Sequence, residues 1–183
     1  MTKQDLRSRR STQSIQRAFI NLLQKESFDQ VKVSEIARLA GIDRQTFYLH
    51  YVDKYDLLAK MNHQFIEEHF RPVVLARLQG GETLALEKVE HIYQANLPYL
   101  KQNRQKILSL LAIDTGRICL KRDLKLFMIK KYQEIMHVDL TPFQQEVIAT
   151  IYVETFITVI KENRTISRQE IEELIAYLRR SLS

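Results

Sequence analysis

The chain has no tryptophan, one cysteine, four glycines and three prolines in 183 residues. The single Cys119 excludes an intramolecular disulfide and fits a reducing cytosol. So few glycines and prolines argue against many β-turns and suit long helices. The longest mostly apolar stretch, Ile148 to Ile160, is interrupted by Glu154 and falls short of the ~20 residues that span a bilayer. No apolar run follows the basic residues near the start, so no secretory signal is expected. A glycine-rich phosphate loop, a nucleophile elbow and an HExxH pair are all missing. These absences point to a soluble, cytoplasmic, all-α protein without enzyme chemistry.

What is present is an ordinary globular balance, 45% hydrophobic and 27% charged, with enough chain for two helical parts. The net charge is +6, unevenly placed. Residues 1–54 hold ten Lys/Arg against six Asp/Glu, whereas residues 55–183 hold eighteen against sixteen. A basic bias concentrated in the first third is what a polyanionic partner requires.

That third contains the most informative stretch, VSEIARLAGIDRQTFYLHYVDK, from Val33 to Lys54. Ile36, Ala37, Leu39 and Ala40 supply a buried face at helical spacing. Gly41 then allows a left-handed turn, and Asp43 is a good N-cap for a second helix over Arg44–Tyr51. Two helices joined by a short glycine-containing turn form a helix-turn-helix, whose second helix enters the major groove of DNA. At 100° per residue, Phe47 and Tyr51 share the packed face, while Arg44, Gln45, Tyr48 and Leu49 fill a neighbouring arc of roughly 140°. Arg can grip guanine O6/N7 with two hydrogen bonds, Gln can do the same to adenine N6/N7, and Tyr48 offers a ring to a thymine methyl and a hydroxyl to a base or phosphate.

The same residues resemble the DNA-binding signature of TetR-family transcription regulators. Ile36-Ala37, Ala40-Gly41-Ile42, Thr46-Phe47-Tyr48, His50-Tyr51, Lys54 and Leu57-Leu58 match it in one gap-free window. The resemblance implies backbone contacts from Thr46 and His50, and a phosphate contact from Lys54. A phosphate there also relieves a mismatch, since a cation at a helix N-terminus is not helped by the helix dipole. Lys32 stands where the family often has a capping Thr, with Ser34 as the candidate substitute. The expected DNA-binding set is thus Ser34, Arg44, Gln45, Thr46, Tyr48, His50 and Lys54.

Around this motif the chain reads as helices throughout. Lys3, Arg7, Arg9 and Arg10 form either a solvated tail or a basic arm on the DNA. A first helix starts at Ser11 or Thr12 and runs to about Glu26, with Ile15, Ala18, Phe19, Leu22 and Leu23 as its apolar stripe. Asp53 caps a linking helix that ends near Arg71 or kinks past Pro72. Gln79-Gly80-Gly81-Glu82 is a break. Helices are then expected from Leu84 to about Pro98, over Ile107–Leu111, and from about Ile118 to Met136. Thr141-Pro142-Phe143-Gln144 and Ser167-Arg168-Gln169-Glu170 open the last two, each with a capping box. The fold expected is an N-terminal three-helix reader (1–54) joined to a C-terminal helical bundle (55–183), about nine helices in all.

From Val147 to Ile160 the penultimate helix is apolar on most of its circumference, so it needs a second buried side, most simply a partner subunit. The resemblance implies a homodimer through the last two helices, about 142–163 and 168–182. It also implies an effector pocket in the second part, for which Met61, Phe65, Tyr93, Leu97, Leu111, Phe127, Tyr152 and Phe156 are candidates that ordinary core packing would equally explain. His63 and Glu67 share a helix face, with His69, His91 and Cys119 elsewhere; such spacing is too unspecific to assign a metal. No cofactor is expected. The function expected is a repressor that binds a palindromic operator as a dimer and is released by an effector; an activator or co-regulator on the same scaffold, or a metal-sensing helical module, are the alternatives.

Overall fold

The computed structural model describes residues 3–79, 84–136, 139–165, 167, 169, 170, 172, 173 and 176, with the backbone alone for Lys3, Gln4, Arg77, Gln79, 84–90, Tyr93 and Met136. Among these the order is α1 (Lys3–Leu23), α2 (Val33–Ala40), α3 (Arg44–His50), α4 (Lys54–Phe65), a π-helical segment (Ile66–Phe70), α5 (Arg71–Gln79), α6 (Leu84–Gln102), α7 (Arg104–Leu111), α8 (Leu120–Met136) and α9 (Pro142–Glu162). An isolated bridge between Asp114 and Cys119 is the one β feature of the described residues. The chain divides into two compact units, Met1–Gln64 with Ser109–Leu120, and Phe65–Leu108 with Lys121–Ser183.

In the first unit α1 is the backing for the other helices. Ile15, Ala18, Phe19 and Leu22 are buried, as the i, i+3, i+4, i+7 pattern demands, against buried Ile36, Ala37 and Phe47. Phe28 closes the connection to α2, its ring edge-on to Phe19 at 6.2 Å and to Tyr55 at 5.0 Å. Two expectations need correction. α1 begins at Lys3, ahead of the expected start at Ser11 or Thr12, so residues 3–10 are its first turns, exposed from Asp5 to Arg10. Leu39, expected on the buried face of α2, is 44% exposed, because that face narrows to Ile36 and Ala37.

Gly41 ends α2 with φ of 69°, and a Cβ placed there would touch nothing, so its requirement is purely conformational. A second positive-φ glycine, Gly116 (φ 75°), turns the chain between Asp114 and Cys119, where Thr115 and Ile118 bond to each other. The gap between the helices expected over Ile107–Leu111 and from about Ile118 is thus a short bridge-closed turn, and α8 starts after it at Leu120.

In the second unit Pro72 does not stop the helix. The preceding turn widens: Arg71 N–H bonds back to Ile66 O, five residues earlier. A proline ring clashes with the carbonyl four residues back and offers no N–H, and a π-turn just before it accommodates both defects. α6 likewise runs through Pro98 to Gln102. The break at 80–83 lies outside the described residues, though α5 ends at Gln79 and α6 resumes at Leu84.

α9 opens with the expected capping box, Gln144 N–H on Thr141 Oγ1 and Thr141 N–H on Gln144 Oε1. Arg104 closes its far end, donating to the carbonyls of Ile160 and Lys161, where a helix dipole favours a cation. Lys125–Glu146 and Gln133–Gln145 tie α8 to α9. Beyond α9 the second capping box forms too: Glu170 N–H on Ser167 Oγ at 3.2 Å, Ser167 N–H on Glu170 Oε2 at 2.8 Å. The stripe assigned to the final helix, Ile171, Leu174, Ile175 and Leu178, lies outside the described residues.

Candidate nucleic-acid interface

Seven residues of α3 carry the candidate interface, and their start is set by Asp43. Its carboxylate accepts the Thr46 N–H at 2.6 Å and the Thr46 hydroxyl at 3.1 Å. Those bonds, the backbone one foremost, hold the Asp43 carboxyl below its usual range. Phe47 is fully buried, ring to ring with Tyr51 at 5.7 Å, and this fixes the helix's rotation. The opposite arc is consequently free: Arg44 and Gln45 are exposed, Tyr48 is 48% exposed and Leu49 83%. Arg44 Nη2 donates to Tyr48 Oη at 3.4 Å, so the guanidinium is held one turn along the helix beside the ring.

The far end of α3 is tied down by residues that the sequence reading did not single out. Thr12 Oγ1 meets His50 Nδ1 at 3.3 Å, and Gln16 Nε2 reaches Tyr51 Oη at 3.5 Å. Thr12 and Gln16 are four apart on α1, a polar row beside the apolar stripe. That row is the signal that could have found them. Lys60 Nζ donates to the His50 carbonyl at 3.1 Å and to Asp56 at 2.9 Å, giving the C-terminus of α3 its favourable cation. Tyr51 is buried as expected, and burial pushes its phenol up. Asp53 caps α4 as expected, its Oδ1 accepting the Asp56 N–H at 2.7 Å.

Residues 15–61 match the family profile of bacterial regulatory proteins, tetR family. The match covers the amino-terminal helices, residues that are similar to a tetR-family DNA-binding domain, and it supports a DNA-binding transcriptional regulator. A solved structure described as "Dihydroxyacetone kinase operon activator DhaS" is similar over 92% of this chain and 93% of that one, with 18% identity and a TM-score of 0.48. No curated protein matches the chain. No described helix is long and apolar enough to cross a membrane.

Among the expected DNA contacts, Lys54 and Thr46 have internal partners and Ser34 loses its capping role. Lys54 directs its ammonium at the carbonyls of Phe28 (2.9 Å), Asp29 (2.9 Å) and Val31 (3.0 Å), with the Phe28 ring 4.8 Å away. The dipole mismatch at the start of α4 is thus answered within the chain by carbonyl oxygens and an aromatic face. Ser34 is the second residue of α2 and cannot cap it; Lys32 holds the N-cap position and no side chain bonds there. Thr46 is half-buried with its hydroxyl on Asp43.

The effector-pocket candidates fall in different places. Met61 and Leu111 belong to the first unit, and the Tyr93 side chain lies outside the described residues. In the second unit Phe65 and Phe156 approach to 6.2 Å, and Phe70, which the sequence reading passed over, stands between Phe156 (5.2 Å) and Phe127 (6.0 Å). Leu97 and Tyr152 are half-buried. A hollow lined by Met128, Ile129, Tyr132, Leu140, Gln145, Ile148 and Ala149 contains none of the candidates and has room for about one water.

A polar group lies in the same unit. Asn96 donates its amide N–H to Ile92 O at 2.9 Å, so its Oδ1 faces His69 Nδ1 at 3.1 Å and requires the proton on that nitrogen. The His69 ring stacks on Tyr99 at 3.4 Å, and its buried Nε2 has no hydrogen-bond partner. Burial pushes both the His69 imidazole and the Lys106 ammonium down. Glu67, considered with His63 as a metal face, pairs with Arg71. No group of three or more His, Cys, Asp or Glu among the described residues could hold a metal.

Proposed function

We propose that this regulator binds a near-palindromic DNA operator as a homodimer and acts as a repressor released by an effector. Residues 1–54 are the reader in this proposal, and residues 55–183 bind the effector and the partner subunit. One observation carries it: Arg44, Gln45 and Tyr48 stand exposed on one arc of α3 while Phe47 is fully buried behind them. Such a helix presents base-reading groups on a rigid backing. Thr46 and His50 flank that arc as positioning residues. Dimerisation is supported by α9, where Phe143 is 76% and Val147 36% exposed, one turn apart, on a helix whose other face is core. Release by an effector is supported by the second unit's aromatic cluster of Phe65, Phe70, Phe127 and Phe156.

Selection of bound duplexes from a random DNA pool by the full chain tests this directly. The expected product is a palindrome with half-sites about one helical turn apart, or a small multiple of half-turns. Arg44→Ala should then relax preference at one base pair per half-site by about 1–3 kcal/mol. Recovery of no sequence preference, or of a preference untouched by Arg44→Ala, refutes the assignment.

A further inference from the structure

More than half of the large apolar side chains exposed among the described residues fall within 39–55: Leu39, Tyr48, Leu49, Val52 and Tyr55. Isolated exposed apolar residues are ordinary, but so many within one short stretch around α3 are not. Leu49 is the extreme case at 83%. It contributes nothing to the core, and an exposed leucine has no helix-forming advantage over a charged residue.

Its place on α3 gives it a purpose. Helical arithmetic divides the exposed arc into two rows, Arg44 with Tyr48 and Gln45 with Leu49, each pair one turn apart. In the first row the tyrosine hydroxyl holds the guanidinium at 3.4 Å. In the second, Leu49 stands about 6 Å further along the helix axis than Gln45, which is less than two base-pair steps at about 3.4 Å each. Gln45 offers the paired donor and acceptor that suit adenine, and Leu49 offers only methyl groups. The one apolar feature of the major-groove edge is the 5-methyl of thymine.

We infer that Leu49 is a specificity residue that packs on a thymine methyl, within about two base pairs of an adenine read by Gln45. This rests on the DNA-reading function proposed above. It adds that each half-site carries a methyl-dependent A·T pair, recognised by contact with no hydrogen bond.

Deoxyuridine tests this atom by atom, since it differs from thymidine only in lacking that methyl. With a recovered operator, each thymine in one half-site is replaced in turn and affinity is measured at one salt concentration. For the unmodified protein a single position should lose about fourfold, the value of one buried methyl. Leu49→Ala should bind the thymine and uracil duplexes alike at that position, whereas Arg44→Ala and Leu49→Met should keep the ratio. Matching circular dichroism of Leu49→Ala and the unmodified chain shows that α3 is intact. Indifference of the unmodified protein to every methyl, or a ratio that survives in Leu49→Ala, overturns the inference and leaves DNA reading standing. Failure to recover any preferred duplex removes the DNA reading and this inference together.

Discussion

Lys54 shows how far a single residue's chemistry can be read before its partners are known. The sequence places a cation at the N-terminus of a helix and a phosphate was the expected remedy; the three carbonyls of 28–31 supply another. Lys54→Met keeps the chain's bulk and removes the charge, leaving three acceptors short of a donor. Charge-assisted hydrogen bonds contribute about 1.5–3 kcal/mol each when well formed, less where water competes. With the amine half-exposed, a total loss of about 2 kcal/mol is expected in urea denaturation. The slope of log affinity for DNA against log salt should stay the same, because no phosphate contact is lost. A slope reduced by about one would restore the phosphate role. The same limit applied to His50, whose Thr12 partner is 38 residues away in sequence. Periodicity says which side of a helix is buried, and nothing in it says which polar group a side chain will meet. Phe47 and Tyr51 were legible because burial is a property of a face; Leu39 was misread because a face of two residues is narrower than the pattern drawn for it.

Elements with strong local signals came through best, among them the capping box of α9, the Asp43 cap and the glycine turn at 41. The π-helical segment was invisible, since widening a turn leaves no periodic trace, and Pro72 offered only the choice between an end and a kink. That segment carries His69, and it is where a pH dependence should originate. Burial depresses the imidazole below its ordinary 6.5, Lys106 presses the same way, and Asn96 and Glu68 act against them. The folded chain therefore binds fewer protons than the unfolded chain once pH falls below about 6.5. The stability contributed by the neutral ring is complete above that value and is lost as pH drops through it toward the folded one. His69→Phe keeps a ring against Tyr99 and removes the proton site. Thermal melts at pH 7.5 and 5.5 should show a smaller fall in Tm for His69→Phe than for the unmodified chain. Equal falls would mean that His69 is not the group that titrates.

At the scale of the whole molecule the open matter is what covers α9. Its sequence is apolar nearly all round, and the structure sorts that surface: Ile148, Ala149, Val153, Phe156, Ile157, Val159 and Ile160 are core, while Phe143 and Val147 face outward with half-buried Ile151 on the same row. The palindromic operator proposed above calls for a second copy of the chain as the occupant, because two-fold symmetry in DNA mirrors two-fold symmetry in the protein. Val147→Asp puts a charge in the middle of that row without touching a buried residue. Sedimentation at micromolar concentration should give twice the chain mass for the unmodified protein and the single-chain mass for Val147→Asp, with helix content unchanged. Affinity for one isolated half-site should be similar in both, since α3 is untouched. Affinity for the full palindrome should fall at least a hundredfold, the advantage of presenting a second reader at high effective concentration. A Val147→Asp protein that stays dimeric would place the interface on some other surface, and an unmodified chain that sediments alone would leave each reader to find its half-site independently.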